Sequence, residues 1–116
     1  GTTTIALRAV MGRRVRLMLP VGLEKRVYGD LDEMARKLIM PGEEGLRLLP
    51  VPGEVFTEID ALSFLAGVSA ELISAGGICG AEGSIRLAVS GDTEAGELAA
   101  ERLIQAVANE PPFTLD

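Results

Sequence analysis

The stretch that decides the fold of this 116-residue chain is Ser69–Asp92, SAELISAGGICGAEGSIRLAVSGD. Two short apolar runs flank a glycine-rich loop that holds Cys79, the only cysteine. Short apolar runs bounded by glycines predict the two strands of a β-hairpin, over residues 70–76 and 84–90. The residues Gly91-Asp92-Thr93-Glu94 then have the composition of a helix start. The pattern therefore predicts a hairpin that presents a thiol at its tip and leads directly into a helix.

The segments on either side of this hairpin extend the pattern to a complete fold. We predict a strand at Leu46–Val51, a turn at Pro52-Gly53-Glu54 and a helix over residues 55–67. After the hairpin we predict a helix from Thr93 to Asn109 and a short strand at Phe113–Leu115. On this last helix, small and apolar residues line the face expected to pack on the sheet: Ala95, Ala99, Leu103 and Ala106. The order β-α-β-β-α-β is that of a ferredoxin-like (split βαβ) α+β fold.

Additional elements precede this unit. The β-rich runs Thr3–Met11 and Arg14–Leu19, on either side of Gly12-Arg13, predict two strands that form a hairpin. Asp30 is the expected N-cap of the next helix, and Glu33 is expected to reach back and complete a capping box. The helix has a predicted apolar stripe and ends at a Pro-Gly pair: Leu31, Met34, Ala35 and Leu38, then Pro41-Gly42.

Composition restricts the location and the partners of the chain. The net charge of −6 argues against nucleic acid as the main partner. A single cysteine and no apolar run of about 20 residues predict a reduced, cytoplasmic protein that does not cross a membrane. Residues 1–50 carry nine Lys/Arg and six Asp/Glu, whereas residues 51–116 carry two and eleven. This asymmetry indicates either separate solvated faces or a basic surface that meets an acidic one on a neighbouring copy.

The chain has few residues suited to catalysis, and we expect that it is not an enzyme. It has no histidine, so it has no Ser-His or Cys-His pair and no imidazole metal ligand. The glycines of GGICGAEG do not fit the dinucleotide-binding spacing. Cys79 has three interpretations: an incidental thiol, a modification site or a metal ligand. Because metal and cluster sites need about three or four ligands, the last interpretation requires several copies around a symmetry axis.

The order of these elements and several of their residues resemble the shell proteins of bacterial microcompartments. The likeness covers LRLLPVPGEVFTEIDALSFLAGVSAEL (46–72) and, beyond the loop, SIRLAVSGD (84–92). The Pro52-Gly53-Glu54 turn, the preceding RVRLMLPVG and DLDEMARKLI and the closing PPFTLD are similar to the circularly permuted subgroup of ethanolamine and propanediol compartments. The resemblance implies one permuted domain over residues 14–116, with residues 1–13 as an added strand that projects from it.

The resemblance also implies a function and a site. Members of the family form cyclic homohexamers, or trimers, that tile a shell with other shell proteins around enclosed enzymes. The pore loop would consist of Gly77, Ile78, Cys79, Gly80, Ala81, Glu82, Gly83 and Ser84. The pore would pass metabolites, or Cys79 would ligate a [4Fe–4S] cluster at the axis, since Gly77-Ile78-Cys79 matches part of a Gly-x-Cys-Pro-Gln motif of some members. Two features depart from the family: the loop is long, and Phe64-Leu65 occupies the place of the usual edge lysine.

Two other classes of function remain open from the residues. One is a small-molecule-binding regulatory domain with a ferredoxin-like fold. The other is an electron-relay protein whose main task is to carry an iron–sulfur cluster. A regulatory domain is expected to be a dimer or tetramer, whereas a shell subunit is expected to be a hexamer or trimer.

Overall fold

The computed structural model describes residues 2–111 and residue 114. These residues form four α-helices, one 3₁₀ turn and four strands: α1 Thr2–Val10, β1 Met18–Pro20, the 3₁₀ turn Leu23–Lys25, α2 Leu31–Leu38, β2 Glu54–Phe56, α3 Glu58–Ala66, β3 Ser69–Ala75, β4 Ile85–Ser90 and α4 Glu94–Ala108. The strands pair as two two-stranded sheets, β1 with β2 and β3 with β4. The predicted α+β class is confirmed. None of the helices among these residues is long and apolar enough to cross a membrane.

The chain divides into two compact units. The N-terminal unit comprises Gly1–Pro20 and Arg26–Val55, and the C-terminal unit comprises Val21–Lys25 and Phe56–Asp116.

The first element of the N-terminal unit differs from its prediction. Thr3–Met11 was predicted as a strand, but the chain is helical over Thr2–Val10. The β-branched residues that suggested a strand favour that conformation only when a neighbouring strand pairs with them. The segment also contains four good helix formers, Ala6, Leu7, Arg8 and Ala9. In a helix the backbone amides donate to carbonyls of the same segment, so no second strand is needed.

The second predicted strand of this unit is much shorter than expected. Of Arg14–Leu19, only Met18 and Leu19 are in a strand, and β1 pairs in parallel with β2 rather than in a hairpin with the first segment. The amide of Glu54 donates to the carbonyl of Leu17 at 2.8 Å. Because β2 includes Glu54, part of the predicted turn at residues 52–54 is strand.

The α2 helix begins as predicted. The Asp30 carboxylate accepts hydrogen bonds from the amides of Asp32 (2.9 Å) and Glu33 (3.0 Å). The Glu33 side chain, expected to complete the cap, instead forms an ion pair with Lys37 at 2.7 Å. Two residues of the predicted stripe, Met34 and Ala35, are half-buried, whereas Leu31 and Leu38 are exposed.

The predicted strand at Leu46–Val51 is absent from the structure. Residues 46–51 have no regular secondary structure, and Leu46 and Leu49 are 91% and 77% exposed. An extended apolar segment becomes a strand only when the edge of another strand receives its backbone hydrogen bonds. Among the residues that the structure describes, no strand pairs with it.

The C-terminal unit contains the hydrophobic core. Leu62 of α3, Val68 and Ala100 of α4 are buried together, and smaller contributions come from Ala66, Ala70, Leu87 and Val89. Helix α3 packs against both α4 and β3. The predicted α3 begins three residues late because Val55 and Phe56 belong to β2, and it ends at Gly67, whose φ of 67° is left-handed.

The predictions of the hairpin and of the last helix are confirmed closely. Strands β3 and β4 are antiparallel, with Ala70 opposite Val89 and Leu72 opposite Leu87, and one bulge between Leu72 and Ser74. Helix α4 starts after Thr93, whose hydroxyl accepts from the amide of Gly96 at 3.2 Å.

The inward face of α4 is rotated relative to the prediction. Ala99 and Leu103 are half-buried and Ala100 is 1% exposed, but Ala95 and Ala106 are exposed. The predicted strand at Phe113–Leu115 falls outside the described residues, apart from Thr114.

Candidate pore loop

The loop between β3 and β4 is closed at its base by hydrogen bonds. The amide of Gly76 donates to the carbonyl of Ser84 at 2.8 Å, and the Ser84 hydroxyl donates to the carbonyl of Gly76 at 3.3 Å. The first of these bonds continues the backbone ladder of the hairpin by one residue pair. The loop is therefore carried at a defined position by two paired strands, and all of its residues are exposed.

Cys79 lies at the turn that forms the tip. The amide of Ala81 donates to the carbonyl of Ile78 at 3.2 Å, so Cys79 and Gly80 are the two central residues of this turn. Their φ angles of 56° and 93° are both positive, as in a type I′ turn. Among the described residues, Cys79 is the one non-glycine residue with positive φ. The turn holds its free thiol in solvent, beside Ile78, which is 81% exposed.

Gly77 is required by a close approach of two backbone segments. A Cβ at this position would lie 2.5 Å from the carbonyl oxygen of Ala81, well inside van der Waals contact. A Cβ on Gly83 would meet nothing within 4 Å. Gly77 and Gly83 therefore have different roles, because a side chain would meet the backbone at position 77 but open space at position 83.

Glu82 supplies the negative charge of the loop. Hydrogen bonds from its own backbone amide, and then from that of Gly80, hold the pKa of the Glu82 carboxyl below its usual value. The loop therefore presents one carboxylate, one thiol and one exposed aliphatic side chain. This set can line an opening or contact a solute.

One chain does not supply the ligands of an iron–sulfur cluster. A [4Fe–4S] cluster takes four cysteine thiolates, and the chain has one cysteine. Within the described ranges, no group of three or more Cys, Asp or Glu side chains is placed to hold a metal ion. A cluster would require Cys79 from several copies.

The structure brings all eight predicted site residues, 77–84, into this single exposed loop. It also contains a feature that the sequence reasoning did not identify. A groove of about 600 Å³ lies between α3, the start of β4 and the second half of α4, and its apolar lining includes Leu62, Ile85, Leu87, Leu103, Ile104 and Val107. A second groove, of about 480 Å³, continues along α4 past Ile104 to Val89, Glu97 and Glu101. The alternation of Ile85, Leu87 and Val89 can be read from the sequence. The open space beside these residues depends on how the helices pack, which the sequence pattern does not show.

Comparison with known proteins identifies no relative. The chain matches no protein-family model, no curated protein and no solved structure.

Proposed function

We propose that this chain is a structural subunit of a protein shell of the bacterial-microcompartment type. Six copies form a closed ring, the loops of residues 77–84 line its axis, and the ring tiles or caps a cytoplasmic shell together with other shell proteins around enclosed enzymes. The observation that supports this most directly is the hairpin: an exposed glycine-rich loop is carried by β3 and β4, which run on into α4. This is the arrangement that the resemblance of residues 84–92 implies for a pore.

The apolar surface of the C-terminal unit also supports assembly. Phe64 and Leu65 on α3 are 82% and 61% exposed, and Val107 on α4 is 75% exposed. Large apolar side chains exposed at neighbouring positions, such as Phe64 and Leu65, are typical of surfaces that another protein covers. Copies of the same chain are the simplest cover, because the two units carry opposite excess charge.

The proposed mechanism is architectural. The ring separates the two sides of a shell. The size and charge of the axial opening determine which solutes pass and which are excluded. Six Glu82 carboxylates around one axis would favour neutral or cationic solutes over anions. We propose no chemical reaction for the loop.

The native mass of the assembly tests this proposal. Size-exclusion chromatography with light scattering is expected to give about six times the 12.2 kDa of one chain at tens of micromolar. A monomer under these conditions would overturn the shell proposal. A dimer or tetramer that binds an apolar small molecule would instead support the regulatory-domain alternative, since the groove of about 600 Å³ has a suitable lining.

The position of the loop at the axis has its own test. Mild oxidation of the ring is expected to link Cys79 pairwise into covalent dimers, because thiols that share an axis lie close together. The matched control is Ser63→Cys in a Cys79→Ser background, which moves the single thiol to the exposed side of α3. Linkage through residue 63 but not through residue 79 would contradict an axial loop.

A further inference from the structure

The beginning of the chain is basic and has no acidic side chain before Glu24. It contains four arginines: Arg8, Arg13, Arg14 and Arg16. Arg16 is paired with Glu54 at 2.6 Å. Within the described part of the chain, the side chains of the other three arginines form no ion pair and no hydrogen bond. Three guanidinium groups are therefore available to an external anion.

Large apolar side chains lie between these arginines and are exposed. Ile5 and Met11 are 70% and 71% exposed, and Arg8 is exposed between them. The amide of Met11 donates to the carbonyl of Leu7 at 2.9 Å, which extends the helical turn of α1 by one residue. Residues three positions apart are neighbours on a helix surface. Ile5, Arg8 and Met11 therefore form one ridge, in which a basic side chain lies between two apolar ones.

This ridge is the outward side of α1. The half-buried residues Leu7 and Val10 lie on a different side of the helix. In the described part of the chain, none of residues 4–20 is buried, and no strand or other helix packs extensively against α1. The ridge is thus an uncovered surface, and Arg13 and Arg14 follow it directly.

We propose that residues 5–14, the basic arm, bind the surface of a membrane that contains anionic phospholipids. Arg8, Arg13 and Arg14 contact lipid phosphates, whose oxygens match the planar guanidinium group. Ile5 and Met11 enter the boundary between the headgroups and the acyl chains. The contact is peripheral, which agrees with the finding that no described helix could cross a membrane.

The mixture of basic and apolar side chains favours a lipid surface over other anionic partners. A nucleic acid would pair with the arginines but would leave Ile5 and Met11 in water. A protein would need an acidic surface with apolar pockets spaced to receive both side chains, whereas a bilayer accepts them in any arrangement. Both components are needed, because a small apolar surface alone binds a bilayer only weakly.

The distribution of charge along the chain also favours this contact. The N-terminal unit, which contains the basic arm, has eight Lys/Arg and six Asp/Glu, and the C-terminal unit has three and eleven. An anionic surface attracts the first unit and repels the second. Because the whole chain has a net charge of −6, binding to anionic vesicles requires a localised basic contact. The inference is independent of the proposed function, since it needs neither a ring nor a pore.

Co-sedimentation with vesicles tests the charge of the basic arm. The wild-type chain is expected to bind vesicles of phosphatidylcholine with phosphatidylglycerol, and not vesicles of phosphatidylcholine alone. Arg13→Gln/Arg14→Gln is expected to weaken the binding roughly 20-fold, and added salt is expected to weaken it further. The control Arg86→Gln/Arg102→Gln has the same net charge and an intact arm, and is expected to bind like the wild type. Equal binding to both kinds of vesicle, or equal loss in the two variants, would overturn the inference.

Tryptophan fluorescence tests the apolar component. The chain has no tryptophan, so a single introduced one reports its own surroundings. The emission of Met11→Trp is expected to shift to the blue on anionic vesicles. Leu46→Trp, at a 91% exposed position of the same unit, is expected to keep the emission of a residue in water. An unshifted spectrum of Met11→Trp on vesicles that bind the chain would contradict insertion.

A single-stranded oligonucleotide distinguishes lipid from anions in general. It is expected to compete poorly with anionic vesicles, and Met11→Ser is expected to weaken vesicle binding roughly tenfold. If the oligonucleotide displaces the vesicles and Met11→Ser binds them like the wild type, the arginines bind any polyanion and the lipid assignment is wrong. Circular dichroism verifies that each variant is folded.

The native mass without vesicles separates this inference from the proposed function. A hexamer that does not bind anionic vesicles refutes the membrane contact and leaves the shell proposal standing. A monomer that binds them through the basic arm refutes the shell proposal and supports the membrane contact. A lower mass for Arg13→Gln/Arg14→Gln than for the wild type would place the basic arm between copies of the chain and overturn the inference.

Discussion

The two units of this molecule are stabilised in different ways. All four buried apolar side chains of the described residues, Leu23, Leu62, Val68 and Ala100, lie in the C-terminal unit. The described part of the N-terminal unit has none. Its contacts include a helix cap at Asp30 and the Arg16–Glu54 ion pair, with N···O distances of 2.6 and 2.7 Å.

This difference predicts which unit is the less stable on its own. Exposed ion pairs and caps contribute little stability individually, and a short helix without a buried face is marginal in water. A unit built on such contacts is expected to unfold more readily than one with a buried core. The C-terminal unit has a core of its own, and its loop geometry is expected to be less sensitive to assembly.

The largest expected effect comes from removing a core side chain. Leu62→Ala is expected to lower the free energy of unfolding by about 2–4 kcal/mol, because it leaves a cavity between α3 and α4. Leu46→Ala in the N-terminal unit is the matched control and is expected to change it by less than about 0.5 kcal/mol in dilute, unassembled protein. Urea unfolding followed by circular dichroism measures both. Similar losses for the two variants would mean that the units share one core.

A smaller effect is expected at the tip of the hairpin. Gly77→Ala places a Cβ against the carbonyl oxygen of Ala81 and is expected to cost about 1–2 kcal/mol, with opening of the loop. Gly83→Ala adds the same methyl group in open space and is expected to be neutral. Amide hydrogen exchange of residues 78–84 shows the opening directly. Unchanged exchange in Gly77→Ala would contradict the close approach.

Removal of one helix cap in each unit compares the stability of the two units at a single helix. Thr93→Ala is expected to lower the stability of the C-terminal unit by about 1 kcal/mol while α4 persists, because Ala100 and Leu103 remain packed. Asp30→Ala is expected to melt α2 without changing the unfolding of the C-terminal unit, since α2 has no buried residue. Residue-specific NMR chemical shifts distinguish the two results. If α2 persists in Asp30→Ala, contacts other than the cap must stabilise this helix.

Lowering the pH is expected to have the smallest effect on stability. This effect is also expected to differ between the two units. Backbone amides hold the pKa of Asp30 (mainly that of Glu33) and of Asp60 (mainly that of Thr57) below the ordinary value of 3.8. A lowered folded-state pKa stabilises the fold above the unfolded pKa, and that stabilisation is lost as the pH falls through the folded pKa. Between pH 5 and pH 2 we therefore expect α2 to melt first, while α3 persists on the core. The Asp30→Asn variant should remove the acid step of α2.

The sequence allowed the hairpin, α4 and the start of α2 to be predicted because their signals are local. Glycines between Gly76 and Gly83 separate two apolar runs. Thr93 and Asp30 are residue types that favour the N-cap position of a helix. The loop between the two strands follows from the same pattern, whereas its choice as a candidate pore loop rests on the resemblance to microcompartment shell proteins. Its proposed role at an axis depends on several copies, and one chain does not determine it.

The segments that differ from prediction have no strand partner in the described part of the chain. Thr3–Met11 contains several β-branched residues and Leu46–Val51 is a short apolar run, but a strand exists only where another edge accepts its backbone hydrogen bonds. The first segment became a helix, which satisfies its amides within itself, and the second stayed irregular.

The amino-acid sequence by itself determined the boundaries of the hairpin, its glycine-rich tip, the capped helices and the opposite charge of the two halves. Each of these depends on residues a few positions apart, or on composition alone. The tertiary structure decided which strands pair, which face of α4 is buried and where open space remains beside β4. Those outcomes depend on contacts between residues far apart in the chain, because a strand edge or a helix face is buried only where a distant segment meets it.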